Sequence, residues 1–249
     1  MLALLRVRPR EVHTATVTKP GRLAVALAVT GAVLFAAYSW LALVPWNPAD
    51  HPPAFDLAAN WISLGVLAVL GVRLVQRDPH HRIGWIMVSM AAVDGLVSFA
   101  EAYSQVGLLR PGAQLPAAWA ALVVSQASWV LAFAGLTALV MLFPDGHLLS
   151  PRWRPLGVVS VLAFAGAWVG ATFQPGVLDP PFDGLHNPVG VPWLGGWGQV
   201  AVGAFMLSML GCMVATTVAA VIRYRRSTGV ERLQLRWLAY GAGLLPIAL

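Results

Sequence analysis

The sequence predicts an all-α membrane protein, a polytopic bundle of transmembrane helices with six full spans and a truncated seventh. Two observations carry this prediction. Of the 249 residues, 58% are hydrophobic and 10% are charged, whereas about 25% of the residues in a soluble domain are charged. The apolar residues are also gathered into runs long enough to cross a hydrocarbon core of about 30 Å as helices.

Six apolar runs alternate with polar segments, and each run predicts one span: residues 23–44, 57–75, 83–103, 117–142, 155–173 and 198–222. A seventh run begins at Trp237 and reaches Leu249, which as a helix is about 20 Å long and too short to cross. The expected organisation is therefore a basic segment over 1–22 and a transmembrane domain over 23–249. Because the first apolar run is longer than the core of a signal peptide, we interpret it as a retained anchor.

The positions of lysine and arginine predict the orientation, because cytoplasmic loops retain basic residues. Of the 16 basic residues, all but Arg110 lie in the N-terminal segment or in the second, fourth and sixth connections. This alternation predicts a cytoplasmic N-terminus in a multi-pass protein of the cytoplasmic membrane. The outer loops carry acidic residues instead: Asp50 and Asp56 in the first, and Asp179 and Asp183 in the fifth.

The loop from Leu142 to Pro155 carries the clearest local signals. Its Phe143-Pro144-Asp145-Gly146 segment predicts a turn, because proline presets φ at the second turn position and glycine suits the fourth. Ser150 and Pro151 predict the start of the next helix, as N-cap and first-turn proline. Arginine and tryptophan residues here and after the sixth span are expected to anchor the cytoplasmic interface: Arg152, Trp153, Arg154, Arg223, Arg225, Arg226, Arg236 and Trp237. Control of membrane topology is sufficient to explain the arginines of the sixth connection.

Polar residues inside the predicted spans suggest a candidate site. Asp94 lies near the predicted bilayer midplane, where an ionised carboxylate costs several kcal/mol unless it is paired or protonated. Glu101 follows on the same helical face, and Gln126 of the next, antiparallel span is expected at a depth similar to that of Asp94. Two interpretations of this polar cluster stay open. Asp94 either joins two helices through a hydrogen bond or belongs to a pocket that senses a ligand or protons.

Other classes of function lack the residues that they require. Basic residues are confined to loops between apolar runs, which argues against nucleic-acid binding. The single cysteine, Cys212, excludes a disulfide framework, and the adjacent His80 and His81 lack the spacing that directs two imidazoles at one metal ion. A retinal-type receptor needs a Schiff-base lysine within a span, whereas Lys19 lies outside all of them. No catalytic residue, cofactor or metal ligand is therefore assigned.

Four motifs occur in one order along the chain: Ile83-Gly84-Trp85, the FPDG loop with its SPRWRP continuation, Asn187-Pro188-Val189-Gly190, and the segment GVERLQLRW over 229–237. Together they resemble the N-terminal multi-spanning region of bacterial two-component sensor histidine kinases, of the kind common in high-GC Gram-positive bacteria. The resemblance covers most of the chain from Asp78 onward. The chain departs from the family pattern in loops only, at His81, His147, Leu149 and Arg236.

The resemblance implies the sensing and anchoring region of a histidine kinase, embedded in the lipid bilayer. In the family this region is followed by a dimerising helix with a phospho-accepting histidine and by an ATP-binding domain. These 249 residues contain no phospho-acceptor box and no GxxxxGK[ST] motif, so a homodimer and a response regulator are expected only through a missing C-terminal part. The alternatives are a stand-alone membrane protein of interaction or scaffolding type and a small transporter, which should show broken helices in paired halves.

Overall fold

The computed structural model describes residues 19–43, 53–230 and 232–236. Within these residues every long element is a helix, and six helical segments are long and apolar enough to cross a membrane. The prediction of an all-α polytopic bundle is thus confirmed for the part of the chain that the structure describes. The predictions for residues 1–18, the first outer loop over 44–52, Trp237 and the partial seventh span lie outside it.

Seven α-helices build the six spans. They are α1 (Lys19–Leu43), α2 (Ala54–Arg77), α3 (Arg82–Leu109), α4 (Ala118–Ser125), α5 (Ser128–Leu142), α6 (Arg154–Phe173) and α7 (Trp197–Arg226). The fourth span consists of α4 and α5 together. Short 3-10 turns over Pro151–Trp153 and Pro192–Gly195 lead into α6 and α7. Five spans lie within a few residues of their predicted bounds, while α3 continues six residues beyond the predicted end at 103.

Long-range hydrogen bonds bring the basic helix ends together. The Arg82 guanidinium at the start of α3 donates to the Gly146 carbonyl at 3.5 Å, and the Arg223 guanidinium in the last turn of α7 donates to the His147 carbonyl at 2.6 Å. The loops 78–81 and 143–150 and the end of α7 therefore share one end of the bundle, here called the basic end. The loops 110–117 and 174–196 lie at the opposite end.

Small residues let α1 and α2 pack closely against α3. A Cβ added to Gly31 of α1 would lie 2.6 Å from the Ala91 carbonyl oxygen of α3, and one added to Gly71 of α2 would lie 2.7 Å from the Val88 side chain. Such contacts replace the hydrophobic effect as the source of helix association in lipid. A second core joins α5, α6 and α7 around Val130, Phe164 and Met209. Valine and leucine side chains on the outward helix faces remain exposed to the surroundings, as the surface of a membrane protein requires.

Candidate functional site

A cavity of about 430 Å³ lies between α3, the fourth span, α6 and α7, in the half of the bundle away from the basic end. Glu101 of α3, Gln126 of the fourth span and Met206 of α7 line its sides. The loop over residues 174–191, here called the cover loop, closes the outer side. Its volume lies in the range of about 300–1,000 Å³ that is typical of small-molecule sites.

The fourth span is interrupted beside this cavity. Gln126 and Ala127 separate α4 from α5, and Ala127 has φ −117° and ψ 27°, outside the helical range. The Val130 N–H consequently donates to the Ala127 carbonyl at 3.1 Å, three residues back, in place of the helical bond to Gln126. Interrupted helices are tolerated at membrane depth where they are buried in protein or line a cavity. The residues at the interruption, Ser125, Gln126 and Ser128, line the polar side of the cavity.

The polar groups of the cavity differ in how their hydrogen bonds are satisfied. The Gln126 Oε1 atom is fully buried and has no hydrogen-bond partner among the described residues. The Ser125 hydroxyl is satisfied, because it donates to the Leu122 carbonyl at 3.1 Å. The Glu101 carboxylate accepts one hydrogen bond, from Gln105 Nε2 at 3.3 Å. Glu101 therefore retains acceptor capacity at the cavity, and Gln126 keeps an unpaired acceptor that is buried in the cavity wall.

The cover loop is tied to the end of α6 by the side chain of Asn187 and by the Val191 N–H, which donates to the Phe173 carbonyl at 2.9 Å. Asn187 Nδ2 donates to the Thr172 carbonyl at 2.9 Å and to the Gln174 carbonyl at 2.8 Å. Its Oδ1 atom accepts from the Val189 N–H at 3.1 Å. The amide thus satisfies backbone groups that a helix end would otherwise leave unpaired. This gives a physical meaning to the Asn187-Pro188-Val189-Gly190 motif.

Apolar side chains hold the rest of the cover loop against the bundle. Leu178 and Phe182 are buried and pack with Leu122 of α4. A short antiparallel pairing between Val177 and His186 closes the loop on itself, with the Leu178 N–H donating to the Leu185 carbonyl at 2.9 Å. The cover loop is therefore held in place by apolar contacts and by its own backbone pairing.

Of the predicted polar cluster, the structure brings Glu101 and Gln126 to the same cavity, and Asp94 is not among its lining residues. The register of α3 against the fourth span explains the difference. Gly107 packs against Ala118, and Met90 packs against Gly135, which places Gln126 about level with Phe99. Gln126 is then roughly 7 Å farther from the basic end than Asp94. The sequence prediction placed Asp94 and Gln126 at one depth because it measured each depth from the predicted end of a span. Since α3 is longer than predicted, that estimate is wrong for these two residues.

Asp94 is half-buried. No described residue forms a hydrogen bond or an ion pair with its carboxylate. It follows Met90 by one helical turn, so it lies on the face of α3 that is directed toward α5. The Asp94 carboxylate therefore makes no hydrogen bond to Gln126 in this structure, since the helix register separates the two side chains.

A second arrangement lies at the basic end, where Arg223 holds the FPDG loop. Arg223 is buried, with 7% of its surface exposed. Its guanidinium donates to the carbonyls of Phe143 and His147 and lies 3.9 Å from the Asp145 carboxylate. Because Asp145 is 63% exposed, the carbonyl bonds contribute more to this contact than the ion pair does. The planar guanidinium suits two acceptors at once.

The sequence predicts Arg223 as one of several interface anchors, whereas the structure buries it against a loop 76 residues away. A signal for this role exists in the sequence. Arg223 continues a stripe of buried positions on α7 that also contains Met209, Cys212, Thr216 and Ala219, with the alternating spacing of three and four that marks one helix face. Arg225 falls off this stripe and is exposed. Arg226, three residues after Arg223, continues the spacing but is the last residue of α7 and is exposed.

The other predicted anchors keep exposed or half-exposed positions. Arg152, Arg154 and Arg236 are exposed and Trp153 is half-buried, as headgroup contacts require. Ser150 precedes the first helical turn as predicted, but its side chain makes no capping hydrogen bond, and the segment starts as a 3-10 turn at Pro151. The chain turns at FPDG with Gly146 at φ +79°, but the turn is wider than predicted. The Gly146 N–H is bonded to the Leu142 carbonyl at 2.8 Å, four residues back, and the Phe143 carbonyl accepts from Arg223 instead.

One histidine has a local structural role that the sequence prediction does not contain. His81 precedes α3, and its Nδ1 atom accepts from the Gly84 N–H at 3.2 Å, so the imidazole caps the helix. No group of three or more metal-binding side chains occurs among the described residues.

These features define a multi-pass integral membrane protein with a covered polar cavity in one half and an arginine-held loop at the other end. No protein-family model, no curated protein and no solved structure matches the chain.

Proposed function

We propose that this chain is the signal-receiving and anchoring membrane region of a two-component sensor histidine kinase of the cytoplasmic membrane. The observation that carries the proposal is the contact of Arg223 with the FPDG loop. The FPDG loop, one of the four motifs that carry the resemblance to the kinase membrane regions, is held there by the last turn of α7. That helix leads directly into the GVERLQLRW segment, which is part of the same resemblance.

The positions of two α7 residues support a route for the signal. Met206 lines the covered cavity, and Arg223 lies about 25 Å farther along the same helix. A ligand in the cavity that favours one packing of α7 would change the contact at Arg223. The ligand shifts this equilibrium only by its difference in affinity for the two packings.

One observation favours a second candidate function, a small transporter. Discontinuous helices beside a polar cavity are the usual substrate sites of transporters, and the interruption at Gln126 and Ala127 is of this kind. Transporters carry such breaks in both halves of a repeat, and the other five described spans are continuous. The sensor function is therefore better supported.

The proposal is tested with the protein encoded by the complete coding frame, reconstituted in lipid nanodiscs. We expect incorporation of the γ-phosphate of ATP into an acid-labile phosphohistidine. Arg223→Ala should change this rate at least about threefold, since the signal route passes through its contact, while Arg225→Ala serves as the matched control. A coding frame without an ATP-binding domain would reject the kinase and favour the stand-alone protein. Substrate flux in proteoliposomes without phosphohistidine would favour the transporter.

A further inference from the structure

We propose that the covered cavity binds a small organic cation, an ammonium group attached to an apolar or aromatic body. This inference names the ligand class of the receiving site, and so rests on the proposed function for its biological use. Binding itself is a property of this chain alone.

The charge of the cavity wall indicates that the ligand is a cation. Two carboxylates, Glu101 of α3 and Asp179 of the cover loop, are among the lining residues. None of the described lining residues is basic. Both residues are exposed. An anionic ligand would therefore meet only like charge, whereas a cation would meet opposite charge.

The hydrogen bonding of Gln126 indicates that the ligand is a hydrogen-bond donor. Its Oε1 atom is buried and unpartnered, and a buried acceptor without a donor is destabilising. An ammonium group has three donors and no acceptor. It can donate to the Glu101 carboxylate, and it pairs with Gln126 Oε1 when the Gln126 side chain turns toward the cavity that it lines. Asn187 does not compete for this role, because its side-chain amide is committed to the backbone of α6 and the cover loop.

The apolar part of the wall determines the body of the ligand. Trp129, Phe182 and Met206 line the cavity together with the polar residues. Indole and phenyl rings accept an apolar body, and the indole face attracts a cation. A cavity of about 430 Å³ is too large for a bare ion, and no cluster of metal-binding groups occurs in the described part of the chain.

The test compares three probes that share one aromatic body. 2-Phenylethylammonium, 2-phenylethanol and phenylacetate are titrated by isothermal calorimetry into the full chain in nanodiscs of neutral lipid. We expect the ammonium compound to bind at least about tenfold more tightly than the alcohol, as for a charge-assisted hydrogen bond, and phenylacetate to bind least. Equal affinities for amine and alcohol, or tighter binding of phenylacetate, would overturn the inference.

Variants then locate the site. Glu101→Gln keeps the shape of the side chain and should lower ammonium affinity at least about tenfold, and Gln126→Leu should lower it as well. Asp183→Asn removes a charge from the same cover loop but from a residue outside the cavity wall, so it should leave the affinity unchanged. Binding that survives both Glu101→Gln and Gln126→Leu would reject this cavity. The wild-type comparison of the three probes needs no variant and stays decisive if a variant fails to fold.

The outcomes for this inference and for the proposed function are separable. Amine binding by a protein that never forms phosphohistidine would keep the ligand class and reject the kinase. Phosphohistidine formation without selective amine binding would support the kinase and reject the ligand class.

Discussion

The guanidinium of Arg223, in the last turn of α7, donates a 2.6 Å hydrogen bond to the backbone carbonyl of His147, in the loop between α5 and α6. It also donates to the carbonyl of Phe143, so one side chain satisfies two loop acceptors. The end of α7 and the turn after α5 therefore move as one unit. A change in the packing of α7 near the cavity must either carry this loop along or break the contact.

Replacing Arg223 should destabilise the basic end. Arg223→Ala leaves two carbonyls without their charged donor, and we expect the free energy of unfolding to fall by about 2–3 kcal/mol. Arg223→Lys should recover only part of this loss, because an ammonium group cannot hold two acceptors in the same plane. Unfolding by sodium dodecyl sulfate in mixed micelles measures both. Arg225→Ala, on the exposed side of the same turn, is the control, and an equal loss in both variants would contradict the assigned contact.

The cover loop should depend on the amide of Asn187. Asn187→Asp replaces both donors with acceptors that face the carbonyls of Thr172 and Gln174, so the loop should detach from α6. Hydrogen–deuterium exchange of residues 176–191 should increase at least about tenfold, the ratio that corresponds to about 1.4 kcal/mol in an opening equilibrium. His186→Ala removes a neighbouring exposed side chain and should leave the exchange unchanged. Unaltered exchange in Asn187→Asp would show that the apolar contacts and the backbone hydrogen bonds hold the loop without this side chain.

The crossing of α1 and α3 should tolerate no added methyl group. A Cβ at Gly95 would meet the backbone of Gly31, which cannot move without separating the helices. Gly95→Ala should therefore lower the free energy of unfolding by about 1–3 kcal/mol. Gly211→Ala places the same methyl group where no atom lies within 4 Å, and its higher helix propensity should raise stability by up to about 1 kcal/mol. A neutral Gly95→Ala would mean that the helices cross elsewhere.

The two interpretations of Asp94 make opposite predictions for Asp94→Asn. Because no described residue bonds to the carboxylate, removal of its charge should leave the free energy of unfolding unchanged or raise it. A decrease of about 1 kcal/mol or more would instead identify a hydrogen bond that joins two helices. Micelle unfolding again provides the measurement, with Asp56→Asn as the control at an exposed acid outside the bundle interior.

The orientation in the membrane should follow the arginines. Single cysteines in a Cys212→Ser background, placed at Arg110, Asp183, Arg152 and Arg225, should fall into two groups. We expect the first two positions to react with a membrane-impermeant maleimide in intact cells, and the last two only after permeabilisation. Reaction of the cysteines at 110 and 152 from the same side would overturn the span count on which the fold depends.

The sequence by itself determined the number of described spans, their approximate bounds and the clustering of basic residues at one end. These properties depend on the length of each apolar run and on local charge, and both can be read from the linear sequence. The turn at Gly146 belongs to the same class, because turn chemistry is local. Even here the end of α3 was displaced by six residues, since tertiary contacts decide how far an apolar helix continues.

Only the tertiary structure decided which polar residues meet. Glu101 and Gln126 share a cavity while Asp94 does not, because the register of α3 against the fourth span is set by the packing of Gly107 on Ala118 and of Met90 on Gly135. The burial of Arg223 likewise depends on a loop from another part of the chain. Nothing in the composition of the basic run distinguishes it from Arg225 and Arg226. Helical phase separates Arg223 from Arg225, whereas Arg226 shares the spacing of the buried stripe and is still exposed at the end of α7. Contacts between residues distant in the chain depend on how whole helices pack, and that packing is a property of the folded bundle.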